Sequence, residues 1–142
     1  APTYCLCPSD HPIARKGPVP IAEVLREPLV LLDRPAARSY YLDLLEQSGL
    51  DYHIVATANS TEMVRSLVAV GTGVSLLSMR PGDVPAYAGA ATSCVPVAQT
   101  ENGITLSLGF APGPQRRVLQ VFIETCSAFF AGPESAAYIV AD

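Results

Sequence analysis

The feature that most constrains this chain is an uninterrupted apolar run, LVLL at residues 29–32. The preceding Glu27-Pro28 pair ends the helix before it, because the residue in front of a proline avoids the helical region. Four consecutive apolar residues without polar alternation are typical of a strand buried on both faces. Such a strand needs cover on each side, so the run favours an α/β domain.

The rest of the chain alternates between helix and strand patterns around this run. The predicted helices span residues 21–26, 38–47, 59–70 and 115–130. The predicted strands span residues 2–7, 52–56, 73–78, 94–98 and 104–110, with a loop at 81–91. We therefore expect a mixed, mainly parallel sheet with helices on both faces. The last ten residues are expected to form a loose tail, and the abrupt opening into a strand suggests a chain cut from something longer.

Composition narrows the class of protein further. Of the 142 residues, 49% are hydrophobic and only 15% are charged, which is the opposite of what a disordered chain requires. Thirteen acidic and nine basic residues give a formal net charge of −4. A dedicated nucleic-acid binder needs a basic surface, so these residues are not expected to contact DNA or RNA. The length is sufficient for one domain with a hydrophobic core.

The cysteines and histidines show no catalytic or metal-binding spacing. The four cysteines are Cys5, Cys7, Cys94 and Cys126. Because none has a zinc-ligand spacing, we expect small buried side chains in a reducing cytoplasm. Neither histidine has a nucleophile or carboxylate at a catalytic spacing, so we predict no catalytic residue, no metal and no cofactor. We see no signal peptide and no run of about 18 apolar residues, and so expect no membrane contact.

The segment after the buried strand is the strongest candidate for a binding site. Open α/β sheets bind ligands where strands reach their carboxyl edge, and the helix that follows offers free N–H groups and a positive dipole end. Arg34 and Arg38 add charge, Ser39 adds a hydroxyl group, and two adjacent tyrosines add rings with polar tips. The segment therefore suits a small carboxylate or another anion. The alternative is that Asp33, Arg34 and Arg38 pair with one another at the surface and that Tyr41 belongs to the core.

The helix at 59–70 and the turn after it have local structural interpretations. Asn59 and Glu62 have the spacing of a capping box. The apolar side of the helix consists of Met63, Leu67 and Val70, with Val64 and Val68 beside them. Gly71-Thr72-Gly73 follows a helix instead of preceding one, so it is a helix-ending turn and not a phosphate loop. An alternative for the helix start is that it faces a ligand cleft or a partner subunit.

Three longer segments resemble, in order and spacing, the effector-binding region of LysR-type transcriptional regulators. They are SDHPIA, EPLVLLDRPAARSYYLDLLEQSGL and STEMVRSLVAVGTGVSLL. The closing ITLSLGFAPGP and a helix ending in FIETCSAFF also fit the pattern. The resemblance covers roughly residues 3–130, and its specificity comes from the order of the segments and not from any single motif.

The resemblance implies one lobe of a periplasmic-binding-protein-like, type II fold. Full-length members carry an N-terminal winged helix-turn-helix, a linker helix and an effector domain of two α/β lobes with a small-molecule cleft between them. Residues 1–110 are expected to be the second lobe, and residues 111–132 a helix returning toward a first lobe that is largely absent. Residues 133–142 are expected to be the tail.

The resemblance also implies site residues and partners. The cleft-lining residues are expected to be Asp33, Arg34, Pro35, Ala36, Ala37, Arg38, Ser39 and Tyr40, with Phe110 at the hinge. In the family, the helix at 59–70 can contribute to an antiparallel dimer, which would place Arg65 at an interface; otherwise we expect Arg65 to be exposed. The implied partners are a small-molecule effector, DNA only through the missing N-terminal domain, and further copies of the chain in a homodimer or homotetramer.

The expected function is small-molecule effector sensing within a LysR-type regulator, passed on to the absent winged helix-turn-helix. One alternative is a solute-binding receptor module of similar fold, which predicts a secretory signal and a complete pair of lobes. A second alternative is an enzyme on the same scaffold, which needs a base or nucleophile converging on the cleft. Neither alternative finds its signature in this sequence.

Overall fold

A computed structural model of the chain describes residues 2–80, 86–98, 104–105 and 107–138. The strands in this part are β1 Tyr4–Pro8, β2 Val19–Pro20, β3 Leu29–Leu32, β4 Ile54–Ala58, β5 Ser75–Leu77 and β6 Thr92–Ala98. The α-helices are α1 Ile21–Val24, α2 Pro35–Gln47, α3 Thr61–Ala69 and α4 Arg117–Ala131. Two short 3₁₀-helices span Pro12–Arg15 and Pro133–Tyr138.

The strands form a mixed sheet in which β1 is the antiparallel member. One group of strands has the order β2-β6-β1-β5 and the other consists of β3 and β4. A parallel bridge between Leu29 and Val74 joins the two groups, and Val74 N donates to Pro28 O over 2.8 Å. β1 runs antiparallel to β5 and β6, whereas β3/β4 and β2/β6 are parallel. The expected α/β class with a mixed sheet is confirmed.

Gly73 allows the two groups of strands to approach each other. A Cβ atom at this position would collide with the carbonyl oxygen of Pro28, which is backbone and has no room to move aside. Only glycine at position 73 therefore permits the hydrogen bond from Val74 N, just before β5, to Pro28 O, just before β3. Gly71, with a φ of 82°, ends α3 in the left-handed region, as the sequence predicted.

The core lies around β1 and β3. All four residues of β3 are buried, and both α2 and α3 contact this strand. A strand buried on both faces needs cover on both, so the prediction from its apolar run is confirmed. The buried apolar side chains contributed by the α-helices are Val24, Tyr41, Leu45, Val64 and Val68. Cys5 and Cys7 are buried in β1, while Cys94 and Cys126 are partly exposed, and all four are free thiols.

The predicted starts of α2, α3 and α4 differ from the structure by a few residues, and α4 begins at Arg117 instead of residue 115. Helix α2 begins at Pro35 and not at residue 38, because proline fits the first helical position, where its missing N–H group is not needed. The loop after β3 is therefore only Asp33 and Arg34. Helix α3 is capped by Ser60, whose Oγ accepts a hydrogen bond from Met63 N over 3.2 Å. The predicted cap, Asn59, lies one residue too early.

The buried face of α3 also differs from the prediction. Met63 is 53% exposed and Val70 is 66% exposed, whereas Val64 and Val68 are fully buried. The core is therefore reached by Val64 and Val68, which were expected beside the apolar side of the helix, and not by Met63 and Val70. Arg65, expected at the surface or at an interface, is only 7% exposed. Its burial is made possible by an ion pair with Glu62 one turn earlier.

The C-terminal region departs most from the sequence expectation. Residues 104–105 and 107–110 form no strand, although the alternation of ITLSLGF predicted one. A strand needs a neighbouring strand for its N–H and C=O groups, and among the described residues this segment pairs with none of the strands of the sheet; residue 106 lies outside the described residues. Pro133–Tyr138 forms a 3₁₀-helix with Ser135 buried, and Arg80 N donates to Tyr138 O over 3.1 Å. The expectation of a loose tail is therefore wrong for residues 133–138, and the rest of the predicted tail, residues 139–142, lies outside the described residues.

Candidate functional site

One edge of the sheet collects the ends of several strands and the starts of two helices. β3 and β4 are parallel, so their carboxyl ends lie together and lead into α2 and α3. β5 runs in the same direction as β3 and is followed by Ser78 at this edge. Because β1 is antiparallel to β5, the residue in front of it, Thr3, lies at the same edge. We call this the carboxyl edge.

The two-residue loop after β3 is held firmly at the carboxyl edge. Asp33 N donates to Ala58 O, at the end of β4, over 2.7 Å. Arg34 occupies the N-cap position of α2 and makes no side-chain capping hydrogen bond within the described residues, and Pro35 follows at the first helical position. The positive end of the α2 dipole is therefore not neutralised by a capping side chain.

The charged side chains of this segment are partly engaged with each other. Arg38 Nη1 lies 3.4 Å from Asp33 Oδ1, and the two side chains are 55% and 41% exposed. The alternative interpretation, in which the charged residues of this segment pair with one another at the surface, therefore holds for Asp33 and Arg38. Ser39 Oγ donates to Pro35 O over 3.3 Å, so its hydroxyl hydrogen is used within the helix. An anion meeting this surface would compete with Asp33 for the guanidinium group.

Four hydroxyl groups form a cluster behind α2 that sequence reasoning missed. Thr3 Oγ1 lies 2.8 Å from Tyr40 Oη and 3.4 Å from Ser78 Oγ. Tyr41 Oη donates to Ser78 Oγ over 3.3 Å, and the two tyrosine rings meet edge to face with centroids 5.1 Å apart. We call Thr3, Tyr40, Tyr41 and Ser78 the hydroxyl cluster. Its members come from three distant parts of the chain, so no local motif indicates it.

Burial changes the acidity of the tyrosines near this edge. Burial raises the pKa of Tyr41 to about 12, although its hydrogen bond to Ser78 acts in the opposite direction. Burial also raises the pKa of Tyr4, whose Oη donates to Met79 O over 3.1 Å. Both phenols therefore stay protonated well above neutral pH and act as hydrogen-bond donors. Tyr41 belongs to the core, as the alternative interpretation of the sequence stated.

Glu62 and Arg65 connect α3 to the segment in front of β6. Glu62 Oε2 accepts from Arg65 Nη1 over 2.7 Å, and Glu62 Oε1 accepts from the backbone N–H of Tyr87 over 2.7 Å. One carboxylate thus satisfies a buried guanidinium and fixes a loop 25 residues away in sequence. The capping-box spacing identified Glu62 as important but predicted that it pairs with Asn59 at the helix start. Its partners in the structure are Arg65 and the backbone of Tyr87.

Phe110 and His11 are two further residues that the sequence singled out. Phe110 is 51% exposed in a segment without regular structure. His11 Nδ1 accepts from Ile13 N over 3.2 Å, and its Nε2 lies 3.7 Å from Glu27 Oε2. Within the described ranges, no group of three or more His, Cys, Asp or Glu side chains is arranged to hold a metal ion. No helix in the same ranges has the length and hydropathy of a membrane span.

Comparison with known proteins gives one consistent family. The LysR substrate binding domain family matches residues 1–130. The transcriptional regulator cbl of Klebsiella aerogenes is 28% identical over 87% of this chain and 39% of its own length. The crystal structure of HinK, a LysR family regulator from Pseudomonas aeruginosa, has 30% identity and a TM-score of 0.76 over 88% of this chain and 43% of that chain.

A more distant structure shares the fold. The effector-binding domain of BenM with its effector benzoate is 22% identical with a TM-score of 0.53, over 70% of this chain and 46% of that chain. The chain spans less than half the length of these relatives. Since the family match extends over nearly the whole sequence and the fold agrees, this chain belongs to the LysR substrate binding domain family.

Proposed function

We propose that this chain is the effector-sensing lobe of a LysR-type transcriptional regulator. Ligand binding at the carboxyl edge would be passed on to a winged helix-turn-helix outside these 142 residues. The observation that carries the proposal is the convergence at one edge of the loop after β3, the starts of α2 and α3, and the hydroxyl cluster. In open α/β sheets this is the edge where ligands bind.

The effector site in this proposal is the segment from Asp33 to Tyr40, with Phe110 at the hinge. Arg34 and Arg38 are exposed, and the N-cap of α2 carries no capping side chain within the described residues. These features favour a small carboxylate or another anion, because positive charge and free N–H groups face the ligand together. The BenM domain, which shares the fold, was solved with benzoate, a small carboxylate.

The exposure of helix α4 supports the proposed division of the chain into domains. Residues 1–110 are proposed as the second lobe, 111–132 as the helix returning to a first lobe, and 133–142 as the tail. Helix α4 has no buried residue and contacts chiefly the 3₁₀-helix that follows it. Its exposed apolar side chains are Val118, Val121, Phe122 and Phe130. Such a face is costly in water, which supports a covering first lobe in the intact protein.

Signal transmission requires that the two lobes change their relative angle when the effector binds. A ligand shifts such an equilibrium only by the difference in its affinity for the two arrangements. An anion held between Arg38 of this lobe and groups of the other lobe would bind the closed arrangement more tightly. The rotation would then reach the DNA-binding part through subunit packing.

We propose a homodimer or homotetramer for the full-length protein. β4 lies at the end of the strand order, with β3 as its neighbour in the described part of the chain. The nearby side chains Val55, Met63 and Val70 are 40%, 53% and 66% exposed. An open strand edge next to apolar side chains favours association with another protein surface. Arg65 is excluded from this surface because it is buried.

The proposed role is regulatory, cytoplasmic and non-enzymatic, because the relatives are transcriptional regulators and bacterial DNA lies in the cytoplasm. DNA would be contacted only by the N-terminal domain. The alternative is a solute-binding receptor module of the same fold. The coding segment upstream separates the two, because a helix-turn-helix there supports the regulator and a signal peptide supports the receptor.

The experiment that tests the proposal is Arg38→Ala in the full-length regulator. We expect loss of the effector response with unchanged DNA binding, since Arg38 belongs to the effector site and not to the DNA-binding part. Arg15→Ala, an exposed arginine on the first 3₁₀-helix, serves as the matched control. An effector titration of the Arg38 variant that overlays the wild type would contradict the proposal.

A further inference from the structure

A groove of about 280 Å³ opens at the edge of the sheet opposite the carboxyl edge. β3 and β4 are parallel, so their amino ends lie together at this second edge. One wall comes from the turn between α1 and β3, and the other from the segment that enters β4. The polar and aromatic lining residues are Arg26, Glu27, Asp51, Tyr52 and His53. We call this the amino-edge groove.

The groove is lined by two exposed charges of opposite sign that have no partner among the described residues. Among the described residues, neither the Arg26 guanidinium nor the Asp51 carboxylate forms an ion pair or a side-chain hydrogen bond. Glu27, by contrast, already lies 3.7 Å from His11. Two such charges lining one groove without pairing leave room for a molecule that carries both complementary charges.

The rest of the lining suits a short apolar body. Leu25 is buried below the groove, Pro28 borders it, and the Tyr52 ring is half-buried. An aromatic face attracts an ammonium group in addition to the carboxylate beside it. Small-molecule pockets usually have volumes of about 300–1,000 Å³, so this groove accepts only a small ligand.

We propose that the amino-edge groove binds a small zwitterion of the amino-acid type. Its carboxylate meets Arg26, and its ammonium group meets Asp51 and the Tyr52 ring. Every residue of the groove lies between positions 25 and 53, so the site is complete without another lobe. This binding is independent of the effector site at the carboxyl edge, and one proposal can fail without the other.

The test follows backbone amide signals of this chain by NMR during titration with defined probes. Glycine, γ-aminobutyrate and 6-aminohexanoate are zwitterions of increasing charge separation, while butyrate and butylamine carry one charge each. We expect saturable shifts at residues 25–27 and 51–53 for at least one zwitterion, with affinity at least about tenfold above either single-charge probe. No saturation up to about 10 mM, or equal affinity for a single-charge probe, would overturn the proposal.

Substitutions inside and outside the amino-edge groove test where the zwitterion binds. Arg26→Gln and Asp51→Asn should each weaken the best zwitterion about three- to tenfold, because each removes one charge partner. Arg15→Gln and Asp43→Asn remove exposed charges outside the groove and should leave the affinity unchanged. Arg38→Ala should also have no effect here, which separates this site from the effector site. Binding by the Arg26 and Asp51 variants at wild-type affinity would refute the assignment.

Discussion

Tyr40 Oη lies 2.8 Å from Thr3 Oγ1, and this contact joins helix α2 to the residue in front of β1. Thr3 is 1% exposed, and Ser78, the other neighbour of its hydroxyl group, is 2% exposed. Helix α2 carries most of the proposed effector site, so its position relative to the sheet depends on this buried cluster. The link is tertiary, since 37 positions separate the two residues.

Thr3→Val should lower the free energy of unfolding by about 1–3 kcal/mol. The substitution keeps the shape of the side chain but removes a buried hydroxyl group with two neighbours. Tyr40→Phe should cost less, about 1 kcal/mol, because the Tyr40 side chain is half-buried and water can replace its partner. Urea denaturation measures both. Tyr87→Phe, at a residue 90% exposed, is the control and should leave stability unchanged; a Thr3 variant as stable as this control would contradict the prediction.

The raised pKa of Tyr41 predicts that the free energy of unfolding falls at alkaline pH. Its pKa is raised from 10 to about 12 in the folded protein, mainly by burial. The folded state therefore holds the phenolic proton more tightly than the unfolded state does. This contribution is fully present below pH 10 and is lost as pH rises through 12, with a total of about 3 kcal/mol.

Tyr41→Phe tests this dependence. We expect the free energy of unfolding of the variant to fall less steeply between pH 10 and 12 than that of the wild type. Some slope should remain, because burial also raises the pKa of Tyr4. Urea denaturation at a series of pH values measures the difference, and parallel curves for the two proteins would argue against the assignment.

Glu62→Ala should destabilise the domain by about 3 kcal/mol, because it leaves the Arg65 guanidinium, 7% exposed, without this carboxylate. The same change frees the Tyr87 amide, whose hydrogen exchange should accelerate. Glu46→Ala on the exposed face of α2 is the matched control. Equal stability of the two variants, or unchanged exchange at Tyr87, would show that the carboxylate does not hold these groups together.

Much of the fold could be predicted because its signals are local. Residues 29–32 were identified exactly where β3 lies, since an apolar run behind a proline leaves few alternatives. Helix caps were less certain because adjacent residues have the same capping chemistry: Asn59 and Ser60 are both good N-caps, and Ser60 is used. The predicted strand at 104–110 is not found in the described residues of this segment, because strand formation depends on a neighbouring strand that no local pattern reveals.

The candidate site was predicted in part for the same reason. The loop and helix start after β3 follow from the position of one strand, so Asp33 and Arg34 could be anticipated. Thr3 and Ser78 could not, because their contact joins residues 75 positions apart and a single threonine or serine has no distinguishing context in sequence. Arg65 was misjudged because arginine is usually exposed, and its pairing with Glu62 in the folded chain favours its burial.

The apolar face of α4 should make this chain bind hydrophobic dyes or self-associate. Val118 is 79% exposed and Phe122 is 54% exposed, which leaves a contiguous apolar surface without cover in the described structure. Val118→Gln combined with Phe122→Glu should abolish most dye fluorescence and concentration-dependent sedimentation. Leu50→Gln, at a residue 43% exposed and remote in sequence from α4, should not. Unchanged dye binding in the double variant would contradict the assignment of this face as the one normally covered.

Effector binding should require more than this chain. The proposed anion site has Arg34, Arg38 and the start of α2 on one side only, and the chain spans less than half of its relatives. Ligand pockets bury most of a bound molecule's surface, so a chain that supplies only one side of the pocket should bind the effector with much lower affinity. We expect this chain to bind the effector of the full-length regulator at least about a hundredfold more weakly than the two-lobed domain does. Isothermal titration calorimetry on both proteins measures the ratio, with Arg38→Ala in the two-lobed domain as the reference for a lost site. Low-micromolar binding of a small acid by this chain, abolished by Arg38→Ala, would show that one lobe suffices and would contradict the prediction.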